Sequence, residues 1–252
     1  MKYVLSVSPD FMPDKLSGWF VFNTWLQKTL GEHIHLELYD GFDSQRADIV
    51  ADKIDLIYAN PYDASMLIRN KGFLPLVRPV GKADECTIAS ASSSPVTDVE
   101  ALQPGTRIAT TDDPDVHMMG MIMIEPAELD AGNTSIHKVD NYVLVAKQLL
   151  RGEADIGFFL SDAYNELSNL IRSELRVLIS SKISVIHHAV MVGPRLAEKA
   201  ETLKSVLIGM AGDEKGKGVL SELGIEAWAD LPHEDAEFMI DLMDTLVDRR
   251  SA

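Results

Sequence analysis

The chain has 252 residues, 46% of them hydrophobic, with 39 acidic against 23 basic side chains and a formal charge of −16. That balance excludes a nucleic-acid reader, whose phosphate contacts need clustered Lys and Arg, and argues equally against an anionic membrane surface. A single cysteine, Cys86, excludes an internal disulfide framework and any Cys-rich zinc site. No apolar run approaches the roughly 18 residues of a membrane span, so no membrane insertion is expected.

Apolar spacing switches between period 2 and period 3.6 along the chain, the pattern of an α/β protein. KYVLSVS (2–8) reads as a strand; it is too short and too alternating for an export leader. LSGWFVFNTWLQKTLG (16–31) predicts a helix closed by Gly31, and HIHLELY (33–39) a strand. A helix over 43–53 and a short buried strand over 54–59 follow, then a helix over 61–72 opened by Pro61 and stopped by Gly72. FLPLVRPV (73–80) is extended, and its two prolines predict an edge or crossover segment. CTIASA (86–91) is a strand, and 95–110 reads as a short helix, a Pro-Gly turn and a strand. DDPDVHMMGMIM (112–123) predicts a helix over 114–124 that is apolar nearly all round, with Asp112 or Asp113 as N-cap. Next come a strand (134–139), a helix (141–153), a strand (154–159), a helix near 161–171, and strands over 175–180 and 184–193. Three helices, 194–211, 213–223 and 233–249, close the chain.

VADKIDLIYANPYDA (50–64) and LLRGEADIGFFLSDA (149–163) echo one another, each a helix end, an Asp-led apolar strand and a new helix. Two similar halves imply two α/β lobes: residues 1–80 plus 187–252, and residues 81–186, with crossovers near 81–85 and 181–186.

Five blocks in order carry a resemblance. SVSPDFMPDKLSGWF, VADKIDLIYANPYDASMLIRNKGFLPL, DVEALQPGTRIATTDDP, KQLLRGEADIGF and VLSELGIEAWADLPHEDAEFMIDLMDTL resemble successive segments of the phosphate/phosphonate (PhnD-like) substrate-binding family of ABC importers. The resemblance implies the type 2 periplasmic-binding-protein fold: two α/β lobes, two hinge crossovers and a cleft that closes on a small molecule. In that family the segment after Asp-Pro is rich in Ser, Thr and Gly, and its hydroxyls and backbone N–H groups hold the ligand oxyanion at a helix N-terminus. Here Asp113-Pro114 is followed by Asp115, Val116, His117, Met118, Met119 and Gly120. The hydroxyls are gone and a carboxylate stands in their place. The ligand is therefore expected to be neither phosphate nor phosphonate.

In such a fold ligand lies at strand carboxyl ends and helix N-termini. That rule selects Asp10 and Phe11, Phe42, the YANPY loop with Tyr58, Asn60 and Tyr62, then Ser92, His117, Met118, Met119, Tyr142, Phe159 and His187. Met121, Met123 and Ile124, further along the helix, are expected to be core. Met, His and Cys also suit a soft metal, and His117, Cys86 and one of His187 and His188 are the available ligands. None of their spacings is diagnostic, so neither metal nor cofactor is expected. No catalytic residue is assigned, because nucleophile elbow, Walker loop, dinucleotide fingerprint and His-Glu-x-x-His are all missing.

The expected function is reversible capture of a small molecule and its presentation to a partner, an ABC permease or a sensor protein. The alternatives are an enzyme on the same scaffold, of the menaquinone or thiamine-precursor type, and a cytosolic ligand sensor. As written the chain reads as cytoplasmic; a leader preceding it would make it periplasmic.

Overall fold

The computed structural model describes residues 2–11 and 13–248. The last residue of the helix expected over 233–249, and the 250–252 tail of the expected first lobe, lie outside the described residues. The chain divides into two compact units: Met1–Lys82 with His187–Met243, and Ala83–Ile186 with Asp244–Ala252. No helix among the described residues is long and apolar enough to cross a membrane.

The first unit is built on a six-stranded mixed sheet, β11-β4-β10-β3-β1-β2, from β1 (Lys2–Val7), β2 (His33–Glu37), β3 (Leu56–Ala59), β4 (Leu74–Pro79), β10 (Ala189–Val192) and β11 (Trp228–Asp230). β1 runs parallel to β2 and β3, while β10 is antiparallel to both β3 and β4. Alternation sends successive side chains to opposite faces. Leu56, Val190 and Val192 join Trp19, Phe22 and Leu26 of α1 (Leu16–Leu30), Leu203 and Leu207 of α7 (Ala200–Gly209), and Val219 and Leu220 of α8 (Glu214–Leu223). Ile57 and Met191 face the other way, onto Ile49 of α2 (Phe42–Val50), Leu67 and Ile68, and Met239 and Ile240 of α9 (His233–Asp248). Each face of the sheet is thus sealed by helices, and the carboxyl ends of β1 and β3 are left for the loops.

The second unit carries a five-stranded sheet, β7-β6-β8-β5-β9, from β5 (Cys86–Ala91), β6 (Arg107–Thr110), β7 (Ser135–Lys138), β8 (Ile156–Leu160) and β9 (Leu175–Ser180). β6 pairs in parallel with β7 and β8, and β5 is antiparallel to β8 and β9. Helices α3 (Pro114–Met123) and α4 (Tyr142–Leu150) pack on it. A Cβ built at Gly120 would meet the Phe158 ring at 2.4 Å, so only glycine lets α3 approach β8 this closely.

Several expectations are corrected. The proline-bearing 73–80 segment is not an edge: β4 lies inside the sheet, between β11 and β10. Pro75 is tolerated because the β10 register shifts between Val190 and Met191, beside it, and Pro79 is the strand's last residue. The edge is β11, three residues that sequence periodicity cannot register. The short helix expected within 95–103 is a set of turns, in which Asp98 Oδ1 accepts from the Ala101 N–H at 2.8 Å and replaces a helical carbonyl. The helix near 161–171 is two, α5 (Ser161–Glu166) and α6 (Asn169–Ser173). Leu167 and Ser168 between them are extended, and Ser168 caps α6 through the Ile171 N–H. The 61–72 helix is uneven, a 3₁₀ turn (Pro61–Asp63) running into a π-turn (Met66–Asn70). Residues 184–188 are not strand: Ser184 has φ 64°, and its N–H is taken by Glu85 Oε1 at 2.7 Å. The helix expected over 194–211 opens as a 3₁₀ segment (Pro194–Lys199) before α7.

Candidate functional site

In the first unit, polar and aromatic residues gather where β1 and β3 end and β10 begins. Hydrogen bonding of the Ser8 N–H to the Tyr58 carbonyl (2.8 Å) carries the β1–β3 pairing one residue beyond the strand, which fixes the loop holding Asp10. Asn60 is buried and works twice: Oδ1 caps the Tyr62 N–H at 2.8 Å, and Nδ2 donates to Asp10 Oδ2 at 2.8 Å. His188 Nε2 donates to the same carboxylate at 3.0 Å, with only 9% of the His188 side chain and 4% of the Asp10 side chain exposed. Burial pushes the Asp10 carboxyl up. The charge of His188 and the hydrogen bonds from His188 and Asn60 outweigh that, and the group is held below its ordinary value. Tyr58 stacks on the His188 ring at 5.0 Å and 21°, and leans on Trp19 at 4.9 Å.

A second charged pair stands nearby. Arg46 grips Asp63 through Nε–Oδ1 (2.6 Å) and Nη2–Oδ2 (3.3 Å), and its guanidinium lies 5.1 Å from the Phe42 ring and 5.3 Å from the Tyr62 ring. Burial still raises the Asp63 carboxyl despite the pull of Arg46. Phe42 is buried and Tyr62 exposed, so the two rings present one guanidinium from opposite degrees of cover. Phe11 is half-buried against the core around α1. His187 turns away: its Nδ1 donates to the His188 carbonyl at 3.1 Å, and burial lowers its pKa to about 4, leaving it neutral.

In the second unit, the carboxyl end of β6 runs through Thr110 and Thr111 into α3. Asp113 occupies the N-cap position but makes no side-chain cap; its Oδ2 accepts from the Tyr142 hydroxyl at 2.8 Å instead. Burial, followed by the charge of Asp113, lifts the Tyr142 hydroxyl well above its usual range, so it stays a donor. Asp115 sits in the first turn and is fully buried. Phe159 closes the floor, 6.1 Å from Tyr142 and 5.3 Å from Tyr164. Beside it, Thr87 Oγ1 shares hydrogen bonds with Ser161 Oγ (2.7 Å) and Ser180 Oγ (2.9 Å). Cys86 is buried, and burial pushes its thiol up, the state of an inert core residue.

The sequence-selected residues therefore fall into groups. Asp10, Tyr58 and Asn60 share one cluster, flanked by Phe42 and Tyr62 around Arg46. Tyr142 and Phe159 share the second unit's cluster with Asp113. Met118 and Met119 are buried at 1% and 2% exposure, and Met119 Sδ lies 3.9 Å from Ser181 Oγ. His117 is half-buried and lines a cavity with Met121, one helical turn on, while Met121 itself is buried at 5% exposure, as expected of a core residue. Met123, expected in the core, is only half-buried. Ser92 stands apart, its N–H donating to the Glu174 carbonyl and its own carbonyl accepting from Arg176. Sequence reasoning named His188 only as an available metal ligand, and it missed Arg46, Asp63 and the Thr87–Ser161–Ser180 hydroxyls. Only Arg46 left a signal, its i, i+4 spacing from Phe42 on a helix.

A family model described as ABC transporter, phosphonate, periplasmic substrate-binding protein matches residues 5–236. Among solved structures, PhnD1 from Prochlorococcus marinus in complex with methylphosphonate is similar at 12% identity and TM-score 0.82, over 97% of this chain and 98% of that one. A Xanthomonas citri protein solved with ATP bound is similar at 13% identity and TM-score 0.80, over 99% and 98%. The periplasmic aliphatic sulphonate binding protein of Escherichia coli is similar at 12% identity and TM-score 0.69, over 99% and 92%. No curated protein sequence matches the chain.

Proposed function

The chain belongs to the family of phosphonate substrate-binding proteins of ABC transporters, small-molecule binders, and we propose that its own ligand presents a cationic or hydrogen-bond-donating group where phosphonate binders receive an oxyanion. The observation that carries this reading is the first turn of α3. Asp113 is 1% exposed and Asp115 0%, at the helix end where the family resemblance places the oxyanion cradle. A helix N-terminus favours an anion, and here that preference is already met by the chain's own carboxylates. A ligand anion brought to about 5 Å from one buried carboxylate is opposed by about 3 kcal/mol at an effective dielectric near 20, roughly a hundredfold in affinity. An ammonium group, or a neutral donor, gains what the anion loses.

Of the similar proteins, one was solved with methylphosphonate, one with ATP, and one is an aliphatic sulphonate binding protein. The carboxylates of α3 support a different choice in this chain. The proposed partner is an ABC permease and the proposed compartment the periplasm, both supported by the family description. The test is a panel of melting shifts at one concentration: phosphonates, sulphonates and carboxylates against primary and quaternary ammonium compounds. A ligand at about a hundred times its Kd stabilises by about 2.7 kcal/mol, an easily read shift. Stabilisation by ammonium compounds supports the proposal, and stabilisation by oxyanions alone defeats it.

A further inference from the structure

The second unit contains a cavity of about 440 Å³ that the α3 carboxylates do not line. Its walls are His117 and Met121 of α3, Glu125, and the loop from Leu129 to Gly132. It also lies at a different level of the sheet. α3 starts beyond the carboxyl end of β6, whereas the 130–135 loop is tied to the amino end of β6 by Gly105 N–H to Asn133 carbonyl (2.7 Å) and Ser135 N–H to Thr106 carbonyl (2.9 Å). The cavity therefore extends along the flank of α3, from His117 towards the strand starts, the opposite end from Asp113 and Tyr142. We infer that this cavity is a second ligand site, for a small organic cation with an apolar body.

Size, lining and rigidity support that assignment. The volume falls in the range of small-molecule pockets, about 300–1,000 Å³. Residues four apart stack on one helix face, so the His117 ring and the Met121 thioether form one continuous soft wall, with buried Leu129 as its apolar complement. Among the described residues the charged lining is Glu125 and Asp130, with no Lys or Arg. His117, Glu125 and Asp130 do not converge within reach of a single ion, so the chemistry suits an organic cation, not a bare metal. The loop is fixed in advance. Asp130 Oδ1 accepts from the Gly132 and Asn133 N–H groups at 2.7 and 3.0 Å, Asn133 Oδ1 accepts from the Asp130 N–H at 2.9 Å, and Asn133 Nδ2 donates to the Glu128 carbonyl at 2.9 Å. A site already ordered spends little of its binding free energy on ordering itself.

The inference stands apart from the ligand assigned to the α3 N-terminus, and its test separates the two. The full chain is titrated with phenethylammonium while backbone amide shifts are followed by NMR, with 2-phenylethanol as the neutral control. Saturable shifts at 117, 121 and 129–132 are expected, with the alcohol binding more weakly. The Glu125→Gln/Asp130→Asn pair keeps the loop's acceptors but removes both charges, and should weaken phenethylammonium about tenfold. Ala131→Trp, at an exposed position that tolerates a large side chain, should fill the cavity and abolish these shifts while leaving the melting temperature unchanged. Shifts confined to the 113–115 and 142 region would overturn the second site while upholding a cation preference at the first. Equal binding of the alcohol, or undiminished binding in Ala131→Trp, would overturn it as well.

Discussion

Removing one partner of the Asp10–His188 pair should be among the most damaging single changes in the first unit. The pair is 3.0 Å apart with side chains 4% and 9% exposed, and Asp10 also holds Asn60 Nδ2 at 2.8 Å. Asp10→Ala leaves a histidine and an amide donor without their shared acceptor. The expected loss is about 3–5 kcal/mol, the range for stranding one member of a buried pair. His188→Ala should cost the same order, and also strip the stacking surface under Tyr58, 5.0 Å away. The double variant should lose less than the sum of the singles by about 2 kcal/mol or more, since each single already breaks the shared contact. Urea denaturation of the four proteins at neutral pH gives the cycle. The acid limb supplies an independent check. The folded Asp10 carboxyl lies below its unfolded value, so its contribution is complete above about pH 3.9 and is lost as pH falls through the lowered folded value. Asp10→Ala should flatten that limb. Additive single losses and an unchanged acid limb would refute the coupling.

Further predictions follow from burial. His187 is neutral in the folded state, with a pKa of about 4 against an unfolded value near 6.5, so the unfolded chain binds the extra proton. Stability should therefore fall as pH drops from about 6.5 to 4, by up to about 3 kcal/mol, and His187→Asn should remove that slope; an unaltered slope would mean His187 does not cause it. Met119→Ala should cost about 2–5 kcal/mol as a core truncation, while half-buried Met123→Ala should cost distinctly less; equal losses in unfolding curves would contradict the burial of α3.

Much of the fold was legible because both sheets obey simple periodicity. The β5 and β8 runs are apolar, each parallel strand is followed by a helix, and Gly31 and Asn141 mark helix ends by their own chemistry. The misreadings have local causes. The prolines of β4 suggest an edge only if no bulge accompanies them, and the bulge, an extra β4 residue between Pro75 and Val77, is set by the pairing with β10, more than a hundred residues away. Strand alternation would let only one of His187 and His188 face a given site, but these positions are not strand, and the loop's own path decides which ring reaches Asp10. Asp63 and Arg46 are distant in sequence, and only packing of α2 against the 61–70 helical segment brings them together. The departure at Asp115, by contrast, was visible from one residue, because a carboxylate in place of a hydroxyl removes a donor and adds a negative charge whatever the surrounding geometry.

The most direct measurement of the central claim is a calorimetric titration of the wild-type chain and of Asp115→Ser with methylphosphonate and with phosphate. The wild type should give no heat of binding up to millimolar ligand. The variant, which exchanges a buried carboxylate for a hydroxyl at the α3 N-terminus, should gain roughly a hundredfold in oxyanion affinity. Submicromolar binding of either oxyanion by the wild type, or tighter binding by the wild type than by the variant, would contradict the account.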